Sequence, residues 1–157
     1  LPSIICRMGV QYGKYRNGGL PGIFLKMMLN RQPIILPASQ DNRHMLISDD
    51  DVVRFLEPAL NAASVPALTI NFAGDEAVSS VELIEYLAEL VGIEPDYAFS
   101  EDLDYPTVKL DPSLRQSITG LCEIPWREGV KRMVELMKDR PNDAGVAMGE
   151  SLLARPR

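Results

Sequence analysis

The sequence predicts an α/β fold, and two observations support that prediction. Short apolar segments rich in β-branched residues alternate along the chain with longer segments whose apolar residues recur at helical spacing. Alternation of this kind is typical of a layered domain in which strands and helices follow one another. The chain has 157 residues, of which 46% are hydrophobic, and this is enough for one domain with its own core.

Each predicted element has a local signal. The first strand is predicted over residues 2–7, where apolar and β-branched residues cluster. Ser48 and Ser79 are each followed three residues later by an acidic residue, which is the pattern of a capping box at the start of a helix. Gly92 and Gly120 mark the ends of two helices. Further strands are predicted at 33–36, 44–47 and 67–72, and helices at 23–30, 49–60, 80–91, 112–119 and 125–140.

The helix that follows Ser48 has the clearest expected core face. Its apolar residues are spaced to form one buried stripe along the helix. The predicted stripe consists of Val52, Val53, Phe55, Leu56 and Leu60.

Acidic residues at the start of this helix do not indicate a metal site. Asp49, Asp50 and Asp51 offset the positive end of the helix macrodipole, which explains their position without a metal. The only histidine, His44, has no cysteine or histidine partner at the spacing of metal ligands. We therefore predict that the chain binds no metal.

Composition excludes several classes of partner. A net charge of −6 argues against nucleic acid and against anionic membrane surfaces, which both attract basic patches. No apolar run approaches the roughly 20 residues that a membrane-spanning helix needs. Cys6 and Cys122 are far apart and in unrelated contexts, so they are expected to be reduced in a cytoplasmic protein.

Two segments imitate catalytic motifs. Tyr105 and Lys109 have the Tyr-x-x-x-Lys spacing of a dehydrogenase site, but Pro106 disfavours the helix that would bring them together. The glycine loop at 13–18 opens like a phosphate-binding loop but continues as Gly19-Leu20, without the required Lys and Ser/Thr. A Gly-x-Gly-x-x-Gly pattern is absent from the sequence. We therefore predict no catalytic residue in this chain.

Taken in order, five segments resemble the carboxy-terminal half of the NAD-dependent epimerase/dehydratase family, the extended branch of the short-chain dehydrogenases/reductases. The similarity extends over residues 2–138, and it depends on the order and spacing of the segments, since no single one is specific. The five segments are residues 4–13, 22–37, 42–56, 68–92 and 110–137. The first carries an arginine strand ending in Tyr-Gly, the third an arginine strand leading to an acidic helix start, and the fourth a serine-led helix. The fifth carries both an Asp-Pro-Ser step and a Pro-Trp helix.

The resemblance implies a particular architecture. Residues 1–140 would form a small mixed α/β substrate-binding domain together with the last strand or strands and a helix of a Rossmann-type fold. Residues 141–157 would be a flexible tail. In that family the glycine-rich fingerprint and the catalytic Ser/Thr, Tyr and Lys precede the first of these segments, so the amino-terminal part of the Rossmann fold is expected to be absent from this chain.

The resemblance also implies a function and a set of contact residues. The complete protein would be an NAD- or NADP-dependent oxidoreductase, epimerase or dehydratase acting on a small carbonyl, alcohol or sugar-nucleotide substrate. This chain would be inactive without its nucleotide-binding half. Arg43 would grip the diphosphate of a sugar nucleotide, as a bidentate donor can. The implied cofactor contacts are Arg7, Met8 and Gly9, and the implied substrate contacts are Val10, Tyr12, Gly13 and Arg43.

Departures from the family pattern favour a less polar substrate. Val10 stands where sugar-nucleotide members usually have asparagine, and Met45 and Ile47 replace an aromatic residue and a histidine or tyrosine. Loss of polar groups weakens the interpretation as a sugar-nucleotide site. An alternative function is a free-standing, non-catalytic binding or interaction domain derived from such an enzyme. In either case, an open apolar edge at residues 2–7 is expected to promote self-association.

Overall fold

The computed structural model describes residues 1–13, 18–38, 42–103, 107 and 109–139. It confirms a mixed α/β fold of small sheets and helices in the predicted alternation. The strands are Ile4–Met8 (β1), Val10–Tyr12 (β2), Ile34–Pro37 (β3), Arg43–Ser48 (β4), Leu68–Phe72 (β5), Ala77–Ser79 (β6) and Tyr97–Ser100 (β7). The helices are Gly19–Leu29 (α1), Asp49–Asn61 (α2), Ser80–Val91 (α3), Ser113–Thr119 (α4) and Trp126–Asp139 (α5).

The strands form three small sheets. β1 pairs parallel with β5, and β3 pairs parallel with β7. In the third sheet, β4 lies between a parallel β2 and an antiparallel β6. β2, β6 and β7 were not predicted, because three or four residues are too few to show a periodic pattern.

Gly9 marks the point where the chain leaves one sheet for another. Its amide donates to the Phe72 carbonyl at 2.7 Å, and the next residue, Val10, pairs with Leu46 of β4. A Cβ at position 9 would lie 2.6 Å from the Met45 carbonyl oxygen. Only glycine fits this crossing without displacing backbone.

The larger core lies between α1, α3 and α5 and the strands β2, β3, β4 and β6, and we call these elements with β7 the large region. Trp126 at the start of α5 is buried and packs edge-to-face on Tyr86 at 5.4 Å between ring centroids. The side chains buried here are mostly aliphatic, so apolar packing holds this region together. They include Leu25, Met28, Ile34, Leu36, Leu46, Leu83, Ile84, Leu87, Val130, Met133 and Val134.

A smaller core lies between the β1–β5 sheet and the helices α2 and α4, and we call these elements the small region. Its centre is Phe55, which packs edge-to-face on Phe72 at 5.9 Å between ring centroids. Ile47 of β4 faces this core, whereas its neighbour Leu46 faces the large one, so β4 joins the two regions. The buried apolar residues here are Ile47, Phe55, Ala59, Ile70 and Phe72.

The predicted buried stripe on α2 is wrong in three of its five residues. Val53, Leu56 and Leu60 are 62%, 47% and 66% exposed, and we call these three residues the α2 stripe. Phe55 is fully buried and Val52 is partly buried. In the described residues β1 pairs with β5 alone, so the sheet is two strands wide. The apolar arc of α2 is therefore wider than the surface that this sheet and α4 can cover.

The helix ends follow the predicted capping signals, with one exception. Both halves of the capping box form at Ser79, whose Oγ accepts from the Glu82 amide while the Glu82 carboxylate accepts from the Ser79 amide. Ser48 Oγ accepts from the Asp51 amide, but the Asp51 carboxylate accepts from the Ser48 hydroxyl and from two amides ahead of α5. Asp51 therefore ties α2 to the segment before α5, as a structural residue.

Two predictions concern parts of the chain outside the described residues. Tyr105, and with it the Tyr105–Lys109 pattern, cannot be placed, and neither can the predicted tail at 141–157. Among the residues that are described, no helix is long and apolar enough to cross a membrane.

Candidate functional site

A cleft of about 380 Å³ opens beside the carboxyl ends of β1 and β5. One wall is formed by β4, the turn after β5, and β6. The other wall is the segment that leads into α4. The lining residues are Met45, Asp75 and Ala77 on the first wall and Lys109, Leu110, Asp111 and Pro112 on the second. Ligands of open α/β sheets bind in this position, beyond the carboxyl ends of parallel strands.

Arg43 lies at the amino end of β4, beside the cleft but not in its lining. Its Nη1 donates to the Ala77 carbonyl at 3.0 Å, and it lies 3.7 Å from the Glu82 carboxylate. The arginine side chain is 40% exposed. Lys109 on the second wall is the cationic residue of the lining, and Arg43 adds a positive charge next to Ala77 of the first wall.

Asp75 lines the cleft, and its carboxylate accepts hydrogen bonds from residues outside the lining. Oδ1 accepts from Arg115 and from Gln116 Nε2 at 2.9 Å, and Oδ2 accepts from the Cys122 amide at 2.7 Å. Burial alone would raise the pKa of Asp75, but the hydrogen bonds from Gln116, Arg115 and Cys122 outweigh it and lower that pKa. Asp75 is therefore an anion whose charge is paired with the guanidinium of Arg115.

Asp111 on the second wall is also engaged locally. Its Oδ1 accepts from the Ser113 hydroxyl at 2.6 Å and from the Ser113 amide at 2.9 Å, and these bonds lower its pKa. Its carbonyl accepts from Asn71 Nδ2 at 2.8 Å, which joins the second wall to β5. The hydrogen bonds of Asp75 and Asp111 thus fix the shape of the cleft, whose lining also carries the positive charge of Lys109.

The lining of this cleft contains none of the predicted site residues, but Gly9 and Arg43 lie next to two residues that belong to it, Met45 and Ala77. Met8, at the carboxyl end of β1, is 45% exposed. Gly9 contacts the Met45 carbonyl, and Arg43 holds the Ala77 carbonyl. Arg7 lies one residue back on β1, in register with Asn71.

Tyr12 and Gly13 lie elsewhere. Tyr12 is 1% exposed in the large core, where its ring packs against Gly129 of α5. Its hydroxyl has no hydrogen-bond partner among the described residues, and its pKa is raised by burial and by the nearby Asp51 and Cys122. Gly13 packs on Asp49, so it borders the start of α2 and not the cleft. The predicted substrate contacts of Val10, Tyr12 and Gly13 stay predictions.

Most residues of the second wall were not found as site residues from the sequence. Asp111 and Pro112 were interpreted as a helix start, and Lys109 as part of a false motif. Both interpretations describe local structure, and neither shows that this segment lies across a cleft from Asp75. Asp75 and residues 109–112 are far apart in the sequence, so no local signal could have revealed that they line the same cleft.

No acid–base or nucleophilic pair faces the cleft in the part of the chain that is described. His44 Nε2 lies 2.9 Å from Ser80 Oγ, and burial lowers the pKa of this histidine. Burial, with Asp75 and Asp51 nearby, raises the pKa of the Cys122 thiol to about 12, far from the range of a reactive thiolate. The described residues contain no cluster of histidine, cysteine or acidic side chains able to hold a metal ion. The described residues of the cleft therefore offer groups for binding a ligand but no acid–base or nucleophilic pair.

Solved structures of sugar-nucleotide enzymes share this fold. UDP-glucose 4-epimerase from Thermotoga maritima, solved with UDP-glucose, matches with a TM-score of 0.74 and 22% identity over 90% of this chain. UDP-glucuronic acid 4-epimerase from Bacillus cereus, in complex with UDP-glucuronic acid and NAD, matches with 0.72 and 20% over 88%. dTDP-glucose 4,6-dehydratase from Bacillus anthracis, in complex with NAD, matches with 0.72 and 15% over 90%.

The chain spans about half the length of these structures, since it covers 47%, 46% and 46% of them respectively. No protein-family model matches the sequence, and no curated protein matches it. At these identities the structural likeness shows a common fold, which is that of NAD-dependent epimerases and dehydratases over part of their length.

Proposed function

We propose that this chain is the substrate-binding portion of an NAD(P)-dependent epimerase, dehydratase or reductase, corresponding to the carboxy-terminal half of such an enzyme. Its substrate is a sugar nucleotide or a small carbonyl or alcohol compound. Hydride transfer requires a nucleotide-binding part that carries the acid–base tyrosine, and the 157 residues by themselves are inactive. The observation that carries the proposal is the cleft at the carboxyl ends of β1 and β5, in a fold shared with enzymes of this class.

Positive charge beside the cleft suits an anionic substrate. Lys109 lies in the lining, Arg43 lies next to Ala77 of the first wall, and Asp75 is paired with Arg115. A guanidinium is suited to a diphosphate. The apolar lining, which includes Met45 and Leu110, suits the carbon skeleton of the substrate.

The cofactor of this proposal is NAD or NADP, which would supply the hydride. Met8 and Gly9 fit a contact with its nicotinamide end, because Met8 presents an exposed apolar side chain at the end of β1. The sequence has no glycine-rich phosphate cradle, so these residues would contact the cofactor but could not hold it alone.

Calorimetric titration of the chain with UDP-glucose tests the proposal directly. We expect measurable binding that weakens at least about tenfold in Arg43→Ala, the loss of roughly one charge-assisted contact. Arg132→Ala is the matched control, because Arg132 is also an exposed arginine paired with a glutamate, but on α5 away from the cleft. Equal affinity of both variants, or no binding by the unmodified chain, would refute the sugar-nucleotide form of the proposal.

The less polar form has its own test. A panel of small ketones and secondary alcohols, followed by the methyl NMR signal of Met45, should shift that signal if the apolar lining binds them. If neither UDP-glucose nor this panel binds, the second candidate function gains support. That candidate is a non-catalytic interaction domain, which the exposed β1 edge and the α2 stripe favour.

A further inference from the structure

Arg115 is a charged side chain in the interior of the small region. It is 0% exposed, and its guanidinium lies 4.6 Å from the centre of the Phe55 ring. Nη2 donates to Asp75 Oδ1 and to the Ala73 carbonyl at 3.0 Å, and Nη1 donates to the Gly120 carbonyl at 2.7 Å. An arginine buried this completely is costly unless it is paired, and here a carboxylate and two carbonyls pair it.

Arg115 links the first wall of the cleft to the helix that follows the second wall. Ala73 and Asp75 are in the turn after β5, which forms the first wall. Arg115 itself is in α4, one helical turn after Pro112 of the second wall. The guanidinium therefore joins the two walls from behind, where no ligand can reach it.

The same contacts decide which charge the cleft presents. Arg115 and Gln116 both donate to Asp75 Oδ1, and the Cys122 amide donates to Oδ2. With these donors in place, the charge of Asp75, whose side chain is 27% exposed, is paired with the guanidinium of Arg115. Without Arg115, an anion at the position of Asp75 would lie beside any anionic ligand and repel it.

We propose that Arg115 is a positioning residue for the cleft: it sets the separation of the two walls and withdraws the charge of Asp75 from the ligand. The part of this inference that concerns ligand affinity rests on the proposed function. The part that concerns the walls does not, because it depends only on the contacts of Arg115.

The decisive experiment compares Arg115→Met with the double variant Arg115→Met/Asp75→Asn. The first should shift the methyl NMR signals of Met45, Ala77 and Leu110 and weaken UDP-glucose binding at least about tenfold through the released charge. The second removes that charge, so it should recover most of the lost affinity. Affinity is compared per folded molecule, with the folded fraction measured by Trp126 fluorescence, because neutralising the partner of a buried charge also restores stability. A residue with a merely structural role would change the folded fraction and leave the affinity of the folded molecules unchanged in both variants.

Two further variants keep the test informative if Arg115→Met folds poorly. Gln116→Ala removes one donor from Asp75 without burying an unpaired charge, and should move the same signals by a smaller amount. Arg54→Met is the control, because Arg54 also lies over the Phe55 ring, at 4.7 Å, yet bonds to Asp51 and to carbonyls outside the cleft. It should leave the three methyl signals and the affinity unchanged.

The outcomes separate this inference from the proposed function. If the unmodified chain does not bind UDP-glucose, the sugar-nucleotide proposal fails, and the inference is judged on the methyl signals alone. Unchanged methyl signals in both Arg115→Met and Gln116→Ala would overturn it. Loss of affinity without recovery in the double variant would overturn the withdrawal of charge.

Discussion

The large and the small region are stabilised in different ways. The large region buries Leu83, Ile84 and Leu87 of α3 against α1 and α5, and its interior is almost entirely apolar. The small region has five buried apolar residues, and around them lie the buried or partly buried charges of Asp51, Asp75, Arg54 and Arg115.

The difference follows from the kinds of segment that each region packs together. The contact between α3 and α5 is mainly apolar, so burial of apolar area is its main source of stability. The small region must secure irregular segments, those at 73–76 and 120–125, whose backbone groups require hydrogen-bond partners. The side chains of Asp51, Asp75 and Arg115 provide those partners, and Asp75 also lines the cleft.

The largest effect is expected for Asp51→Ala in the small region. The 1% exposed carboxylate accepts from the amides of Glu123 and Ile124 and pairs with Arg54. Removing it should cost about 3–5 kcal/mol, because it leaves the two amides and the Ser48 hydroxyl without their acceptor and takes one partner from Arg54. Amide hydrogen exchange should show lost protection in α2 and at 121–125, with Trp126 fluorescence still native. Glu57→Ala, on the exposed side of α2, should change stability by less than about 0.5 kcal/mol. If Trp126 unfolds together with α2, the two regions are one cooperative unit and the comparison fails.

A similar or slightly smaller effect is expected for Leu83→Ala in the large region. Leu83 is fully buried, and truncation should cost about 2–5 kcal/mol through lost burial and the cavity left behind. Urea unfolding followed by Trp126 fluorescence should show a lower midpoint with an unchanged slope. Leu136→Ala, at a leucine that is 43% exposed on α5, is the control and should be nearly neutral. A loss below about 1 kcal/mol for Leu83→Ala would mean that this core is loosely packed.

Acid should weaken the two regions in separate pH windows. Burial lowers the pKa of His44 below 6.5, so its contribution in the large region is full above pH 6.5 and is lost as the pH falls towards the folded value. Asp75 titrates below 3.8, so its contribution is full above that pH and is lost as the pH falls through its depressed pKa. Each step should change the free energy of unfolding by at most about 1.4 kcal/mol per pH unit. Unfolding curves measured across pH should lose the first step in His44→Gln and the second in Asp75→Asn. A single step shared by both variants would contradict the separation.

The smallest effect on stability, and a clear one on association, is expected for Leu56→Lys/Leu60→Lys. Both residues are exposed on the α2 stripe, so folding stability should change by less than about 0.5 kcal/mol. The stripe and the β1 edge are apolar surfaces, and we propose that the isolated chain self-associates through them, with β1 as the pairing edge. Light scattering at increasing concentration should show association that the double variant reduces. Leu29→Lys, at a 54% exposed leucine on α1, should not reduce it. A chain that stays monomeric at high concentration would refute the proposal.

Local signals were sufficient for much of the fold. The α/β class, the capping box at Ser79 and the glycine that ends α3 could be predicted because each depends on neighbouring residues. Arg43, Met8 and Gly9 were predicted as site residues from the family resemblance, and Gly9 and Arg43 lie next to the cleft residues Met45 and Ala77. Their contacts with a substrate or a cofactor stay predictions.

The α2 stripe shows where such reasoning failed. Periodicity shows which side of a helix is apolar, but it does not show how wide a sheet will cover that side. The same limit hid Arg115, since a lone arginine in an exposed-looking helix gives no sign that it will be fully buried against Asp75.

The sequence by itself determined where α2, α3, α4 and α5 begin and that strands alternate with helices, because caps and periodicity are properties of adjacent residues. The start of α1 at Gly19, four residues before the predicted start, has no such local signal. The tertiary structure alone decided that β1 and β2 join different sheets, that Asp75 and the segment at 109–112 line one cleft, and that Arg115 bonds to the turn after β5. These contacts join residues far apart in the chain, and only the packing of whole elements brings them together.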